Sequence, residues 1–178
     1  MTEQQQYEVV ASYPDAELRR YARCTVADIT MTGTPEQAGT RAFGPLVRYI
    51  SAKQLAMTAP VLQVEAGSRQ QWTVSFVLPG GRAASEYPLP DSAEVTLREI
   101  PEHFAMAARW SGRWTFGGVE EHTTALREQI ARLSMTEIGP PVWARYDPPW
   151  KPWFLRRNEV LIDVRVDERA EETSVAPH

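Results

Sequence analysis

The same order of predicted elements occurs twice along the chain, and this repeat limits the folds that it can adopt. Alternating apolar and polar residues predict two strands, an amphipathic segment predicts a helix, and two more strands follow, in residues 7–78 and again in residues 95–166. Residue identity between the halves is low, so the repeat lies in the order of the elements. We therefore expect an α+β fold, in which a duplicated ββαββ unit forms a distorted eight-stranded antiparallel β-barrel flanked by two α-helices. Closing the sheet would protect its edges.

Each half is predicted to begin with a hairpin. In the first half, Tyr7–Ser12 is followed by a turn and by a longer strand, Glu17–Ile29. In the second half, Val95–Ile100 turns at Pro101 and returns as Phe104–Ser111. Both hairpins would lead into a helix.

The first helix has a clear start signal. Thr34 is placed as the N-cap, with Gln37 completing a capping box, and the helix is expected over Pro35 to about Ile50. On a helical wheel, Arg41 and Arg48 project together from the side opposite the apolar stripe. A solvated outer face and an anion-binding face are both compatible with this arrangement.

The segment 139–164 holds five of the 14 prolines and three of the six tryptophans. Proline fixes φ and removes a backbone donor, so the segment 147–156, here called the proline loop, should be stiff and extended. Its aromatic residues could close the end of the barrel as a core plug, or they could form the wall of a ligand site. They are Trp150, Trp153 and Phe154. Three basic residues on the same loop would suit an anionic ligand: Lys151, Arg156 and Arg157.

Length and composition predict one domain, residues 7–166, with flexible termini at 1–6 and 167–178. A net charge of -4 and a pI near 5.5 argue against a nucleic-acid-binding surface. The start of the chain lacks a signal-peptide pattern, and no run of about 18 apolar residues occurs. We therefore expect a cytoplasmic protein without membrane insertion, most simply a monomer.

Catalytic and metal-binding motifs are absent from the sequence. It contains no nucleophile elbow, phosphate loop or dinucleotide fingerprint, and its one cysteine, Cys24, is expected to be a buried apolar residue. His103 falls in a predicted turn and should be solvated, whereas His122 should pack at the edge of the second helix. Met57 and Met106 are expected in the core. Nothing here predicts an enzyme.

Three sequence blocks together resemble the SOUL haem-binding protein family over nearly the whole chain. They are YEVVASYP near the start, RYIS with AMTAPV in the middle, and GPPVWARYDPPWKPWFLRRNEV near the end. The resemblance implies the duplicated barrel described above, with non-covalent haem or a related tetrapyrrole in a shallow groove between the first helix and the proline loop. It also implies an intracellular haem carrier, buffer or sensor.

Carried over by motif, the resemblance assigns six positions to this groove. Basic residues would meet the haem propionates, and apolar side chains would meet the ring. The positions are Arg41, Phe43, Val47, Arg48, Trp150 and Lys151. The first helix contains no histidine, so the resemblance leaves the iron ligand unknown.

Two other functions stay open at this stage. The same fold is shared by effector-binding modules, so the ligand could be another aromatic or amphipathic anion. The outer face of the first helix could instead dock a protein partner. A haem-degrading activity would require an arrangement of residues that the sequence does not reveal.

Overall fold

The first half of the chain forms seven strands and one long helix in the computed structural model, which describes residues 3–67, 70–148 and 150–166. The predicted flexible segment 167–178 lies outside the described residues. The elements of the first half are β1 (Glu3–Gln4), β2 (Tyr7–Ser12), β3 (Glu17–Tyr21), β4 (Cys24–Thr32), α1 (Pro35–Ala52), β5 (Thr58–Ala59), β6 (Val61–Glu65) and β7 (Gln71–Val77).

The second half follows the same general order. Its elements are β8 (Thr96–Ile100), β9 (His103–Ser111), α2 (Phe116–Arg132), β10 (Thr136–Glu137), β11 (Val142–Arg145) and β12 (Arg157–Arg165). Short 3₁₀ turns occur at Ala84–Glu86 and Trp153–Leu155.

Most strands join into one ring of hydrogen-bonded neighbours. Antiparallel pairs run from β4 to β7, β6, β11, β12 and β9 in that order, and β9 pairs with β3, which leads directly back into β4. The predicted α+β fold with a distorted barrel and two helices is confirmed. The expected count of eight strands is too low, because the main sheet of the described chain has ten.

The predicted hairpin in the second half is wrong. β8 pairs with β4, and β9 pairs with β3 and β12. The register is continuous across the break, since Cys24 lies opposite Ile100 and Tyr21 lies opposite His103. Pro101 therefore interrupts one long strand and does not reverse the chain. This long strand pairs with β3 and β4, and the pairing closes the ring.

Residues before Tyr7 also form a strand, in a separate two-stranded sheet. β1 pairs in parallel with β5, and the Gln5 N–H donates to the Ala59 carbonyl at 2.8 Å. Gln5 itself is buried. This segment places a polar side chain at the inner face of the barrel.

The two helices pack on one face of the sheet. α1 begins as predicted, since the Thr34 hydroxyl accepts from the Gln37 N–H and the Gln37 side chain accepts from the Thr34 N–H, each at 3.3 Å. α1 lies on β4 and β7, and α2 lies on β9 and β12. Alternation along the strands sends a second set of side chains to the opposite, inner face, where an apolar cluster forms. It includes Tyr21, Cys24, Val26, Leu62, Val77, Ala105, Ala107, Ala144 and Leu161.

Candidate functional site

One edge of α1 forms an apolar border above the sheet. Phe43 is 39% exposed, and its ring lies edge-on to Phe76 with centroids 5.4 Å apart. Val47, one helical turn later, packs against the same cluster. These two predicted site residues therefore share a partly open surface.

The strand register extends this surface toward the proline loop. Phe76 lies opposite Val61, and Val61 lies opposite Arg145, so the three residues form a row across β7, β6 and β11. Two strand spacings separate the ends of the row, about 10 Å. Asp147 and the rest of the proline loop come directly after this row. These positions mark a strip of surface from the Phe43 edge of α1 to the start of the loop, here called the groove.

Arg145 brings a cation to the groove that the sequence reading missed. Its Nη2 donates to Gln63 Oε1 at 2.7 Å, and its guanidinium lies 4.7 Å from the centre of the Trp114 ring. Gly39 of α1 makes room for it, because a Cβ at that position would clash with the guanidinium. Burial lowers the pKa of Arg145. Within the described residues, no carboxylate lies at ion-pair distance from it.

Hydrogen bonds hold the proline loop in one shape. The Asp147 carboxylate accepts from Lys151 Nζ at 2.7 Å and from the Arg157 N–H at 2.6 Å. Burial raises the pKa of Asp147, but these two bonds outweigh it and leave the pKa below its ordinary value. Arg156 Nε donates to the Lys151 carbonyl at 2.8 Å. The loop is therefore tied across both of its ends.

The aromatic residues of the loop are not a core plug. Trp150 is 82% exposed, Trp153 is 49% exposed and Phe154 is 58% exposed. The buried tryptophan of this region is Trp143, which precedes the loop and stacks near Trp72 with centroids 4.8 Å apart. The aromatic rings of the loop are instead exposed to solvent.

The structure separates the predicted basic residues of α1 from this groove. Arg41 Nη1 donates to the Thr32 carbonyl at the end of β4, at 3.1 Å. Arg48 is exposed and borders a different hollow, between α1 and Pro90–Val95. Phe43 and Val47 thus lie on one edge of the helix, whereas Arg41 and Arg48 lie on its outer side.

Neither described histidine lies at the groove. His103 stacks on Tyr21 with centroids 5.3 Å apart, and its side chain is only 18% exposed, so the predicted solvated position is wrong. His122 stacks on Trp110 at 4.2 Å, which confirms its predicted packing.

The predicted apolar positions are mostly correct. Met106 is fully buried, but Met57 is 37% exposed and is not a core residue. Cys24 is buried as expected, and burial raises the pKa of its thiol to about 11. The described residues contain no group of three or more His, Cys, Asp or Glu side chains arranged for a metal ion.

A second concavity, of about 620 Å³, lies between the starts of the two helices. Trp72, Trp143 and Phe116 form its walls. Its rim carries three carboxylates: Glu36, Glu65 and Glu120. Arg127 also borders it but is already paired with Glu137 at 2.9 Å. Like charges would repel a dicarboxylate ligand here, so this concavity is a poor site for haem.

Comparison with known protein families identifies the family of the chain. The family described as SOUL heme-binding protein matches residues 2–163. The chain belongs to the SOUL family. The resemblance identified from the sequence blocks is thereby confirmed, and the family description names a binding function. No curated protein matches the chain.

Solved structures with the same fold are distant in sequence. The C-terminal domain of EcmrR has a TM-score of 0.69 and 10% identity, covering 89% of this chain and 98% of that domain. A hydrolase from Listeria innocua has a TM-score of 0.63 and 12% identity, covering 88% of this chain and 94% of the other. At such identities the likeness extends to the fold alone. Neither described helix of this SOUL protein is both long and apolar enough to cross a membrane.

Proposed function

We propose that this SOUL protein binds haem or a related tetrapyrrole, without a covalent bond, in the groove between the Phe43 edge of α1 and the proline loop. The observation that carries the proposal is Arg145, a largely buried cation at one end of an apolar row. Among the described residues no carboxylate lies at ion-pair distance from it, although Glu36 acts on its charge from farther away. Family membership supports the class of ligand.

The groove has the chemistry that a tetrapyrrole requires. Haem is a broad apolar disc with two carboxylates, so a flat apolar surface provides most of the affinity and cations orient the propionates. Phe43 and Val47 supply apolar surface, and Trp150 offers an exposed ring. Arg145 and Lys151 would meet the propionates.

Two pairs of cations make the proposal testable. Arg145 and Lys151 lie at the loop side of the groove, whereas Arg41 and Arg48 lie on the outer side of α1. We expect the double variant Arg145→Gln/Lys151→Gln to bind haemin at least about tenfold more weakly, since a charge-assisted hydrogen bond contributes about 1.5–3 kcal/mol. The matched variant Arg41→Gln/Arg48→Gln should stay within about twofold of the parent protein. Titration of the apo-protein with haemin, followed at the Soret band, measures both affinities.

The outcomes separate the alternatives. Loss of affinity only in the Arg41/Arg48 variant would place haem on the outer side of α1 and overturn the proposed groove. A response that does not saturate, equal in all three proteins, would mean adsorption and would favour an effector-type module for another ligand. A thermal melt of each variant identifies any loss of folding.

The proposed role is that of a haem carrier, buffer or sensor, in a cytoplasmic monomer rather than an enzyme. For this role, haem bound to the protein should persist in the presence of a reductant and oxygen. Loss of the Soret band with release of a cleaved tetrapyrrole would assign an enzymatic role instead. A stable protein complex that survives haem depletion would favour an interaction domain.

A further inference from the structure

A cavity that is partly open to solvent lies on the inner face of the barrel, and the haem proposal does not use it. It has a volume of about 350 Å³ and lies on the side of the sheet opposite to α1 and α2. Its apolar wall residues come from five strands: Leu62, Val64, Ile100, Val142 and Leu161, beside Tyr21. Small ligands commonly bind in the mouths of barrels with such walls and a few fixed polar groups.

One carboxylate of the cavity is already neutralised. Asp28 accepts from Ser75 Oγ at 2.5 Å and from Arg98 Nε at 2.6 Å. Arg98 is thus paired with Asp28, and its charge cannot fully neutralise a second carboxylate.

A second carboxylate is not neutralised in this way. Asp163 lies 3.7 Å from His103 Nε2, beyond hydrogen-bond distance, and its side chain is 39% exposed. Burial raises the pKa of Asp163, and His103 lowers it only in part. Glu65 also lines the cavity and adds negative charge.

A third polar group of the wall lacks a donor. Gln5 is 9% exposed, and its Oε1 has no hydrogen-bond partner among the described residues, while its Nε2 makes only a 3.5 Å contact with Cys24 Sγ. A buried carbonyl oxygen without a donor is costly, so a ligand that supplies N–H groups would be favoured. Acceptors therefore outnumber free donors around this cavity.

We propose that the inner cavity binds a small organic ammonium ion, with its apolar body against Leu62, Val64 and Leu161 and its charged group toward Asp163. A volume near 350 Å³ is small for a tetrapyrrole, so this site is distinct from the haem groove. The proposal does not depend on the haem proposal, because the two sites lie on opposite faces of the sheet.

The test uses three probes of similar shape that differ in charge: 2-phenylethylammonium, 2-phenylethanol and phenylacetate. Each is titrated into the full isotope-labelled chain at pH 7 and followed by backbone amide NMR shifts. The ammonium should bind at least about tenfold more tightly than the alcohol, because a charged hydrogen bond is stronger than a neutral one. Phenylacetate should bind most weakly. The largest shifts should occur at Ser75, His103 and Leu161.

Two variants locate the site. Asp163→Asn should remove the preference for the ammonium over the alcohol, whereas Glu128→Gln, which removes an exposed charge on α2, should preserve it. Asp163→Asn should fold, since it replaces a carboxylate whose ionisation burial disfavours. Val64→Trp fills the cavity from β6 and should abolish the binding of all three probes, which gives a test independent of the charge.

Several results would overturn the proposal. They are equal affinity for the ammonium and the alcohol, no binding of the ammonium at tens of millimolar, or shifts confined to the α1 groove. Displacement of bound haemin by the ammonium would also overturn it, because it would place both ligands at one site. Failure of haemin to bind, with the ammonium preference intact, would leave this site standing and reject only the haem proposal.

Discussion

Glu159 is a buried carboxylate on the inner face of the barrel that binds two arginines. It is 1% exposed, and its carboxylate accepts from Arg19 Nη1 at 2.7 Å, from Arg19 Nη2 at 3.1 Å and from Arg157 Nε at 2.8 Å. Burial lowers the pKa of Arg19, but the bond to Glu159 and the proximity of Tyr21 raise it by more. The pKa therefore lies above its ordinary value, and the guanidinium stays charged. Glu159 is therefore the buried carboxylate that Arg19 and Arg157 share.

Removing that charge should destabilise the protein strongly. For Glu159→Gln we expect a loss of about 3–5 kcal/mol in the free energy of unfolding, because buried Arg19 and partly buried Arg157 lose the buried carboxylate that they share. Glu17→Gln is the matched control, since Glu17 also pairs with Arg19 at 2.7 Å but its side chain is 38% exposed. The control should cost no more than about 1 kcal/mol. Urea unfolding measures both, and equal losses would show that the buried charge balance is not what stabilises this region.

The position of Arg145 at the groove could not be predicted from its residue type alone. In the sequence it is one arginine in a predicted strand, with no motif of its own. Its position beneath Gly39 and beside Trp114 arises from the pairing of β11 with β6 and from the packing of α1 on the sheet. A glycine inside a predicted helix was the one available signal, because such a glycine often marks a close approach.

Among the elements, α1 was predicted most accurately because its signals are local. The capping box at Thr34 and Gln37 and the proline at the first position specify its start without reference to the rest of the fold. Its end lies at Ala52, two residues beyond the predicted Ile50. Pro45 lies inside the helix, which continues through it.

The N-cap makes a direct prediction at this scale. Thr34→Ala removes the hydroxyl that accepts from Gln37 and should lower the free energy of unfolding by about 1 kcal/mol. Thr34→Ser retains that oxygen and should stay within a few tenths of the parent protein. Thermal or urea unfolding gives the difference. A larger loss in the serine variant than in the alanine variant would contradict a capping role.

The proline loop was predicted at the correct place in the chain, but it contains a 3₁₀ turn at Trp153–Leu155 and is not extended throughout, and its packing had been left open. Its stiffness follows from proline geometry, yet the exposure of Trp150 and Phe154 depends on the strands that the loop connects. The bonds of Asp147 to Lys151 and to the Arg157 N–H fix its ends. An aromatic loop of the same composition could equally have turned inward.

At the scale of the molecule, the two halves of the chain share one sheet. β6 pairs with β11 across the halves, and β8 and β9 run beside β4 and β3. Breaking either half would therefore remove partners from the other. We expect a single cooperative unfolding transition.

A core substitution in the first half tests this coupling. Leu46 of α1 is fully buried, and Leu46→Ala should cost about 2–5 kcal/mol through lost burial and a residual cavity. The tryptophan cluster around Trp143 lies on the α2 side and also includes Trp72 of the first half, so it reports on the second half and on its contact with the first. The unfolding transitions followed by near-UV circular dichroism of this cluster and by far-UV circular dichroism should have the same urea midpoint. This should hold in the parent protein and in the variant. A tryptophan transition that stays at the parent midpoint while the far-UV signal shifts would mean that the halves unfold separately.

Local patterning along the chain was sufficient to predict the helices, most strands, the buried Cys24 and the class of fold. These features depend on residues close in sequence, through the 3.6-residue and two-residue periods, capping and turn chemistry. The family blocks added the haem expectation, although they placed four site residues on α1 without distinguishing its two sides.

The pairing partners of β8 and β9, the position of Arg145 and the inner cavity with Asp163 arose only when distant segments met. Each depends on which strands become neighbours, and a strand has the same two-residue pattern whichever partner it takes. Pro101 is compatible with a turn and with a break in a long strand, and only the continuous register with β3 and β4 selects the second. The proposed ligand-binding surfaces are consequently properties of the closed ring, because both faces of the sheet are assembled from strands of the two halves.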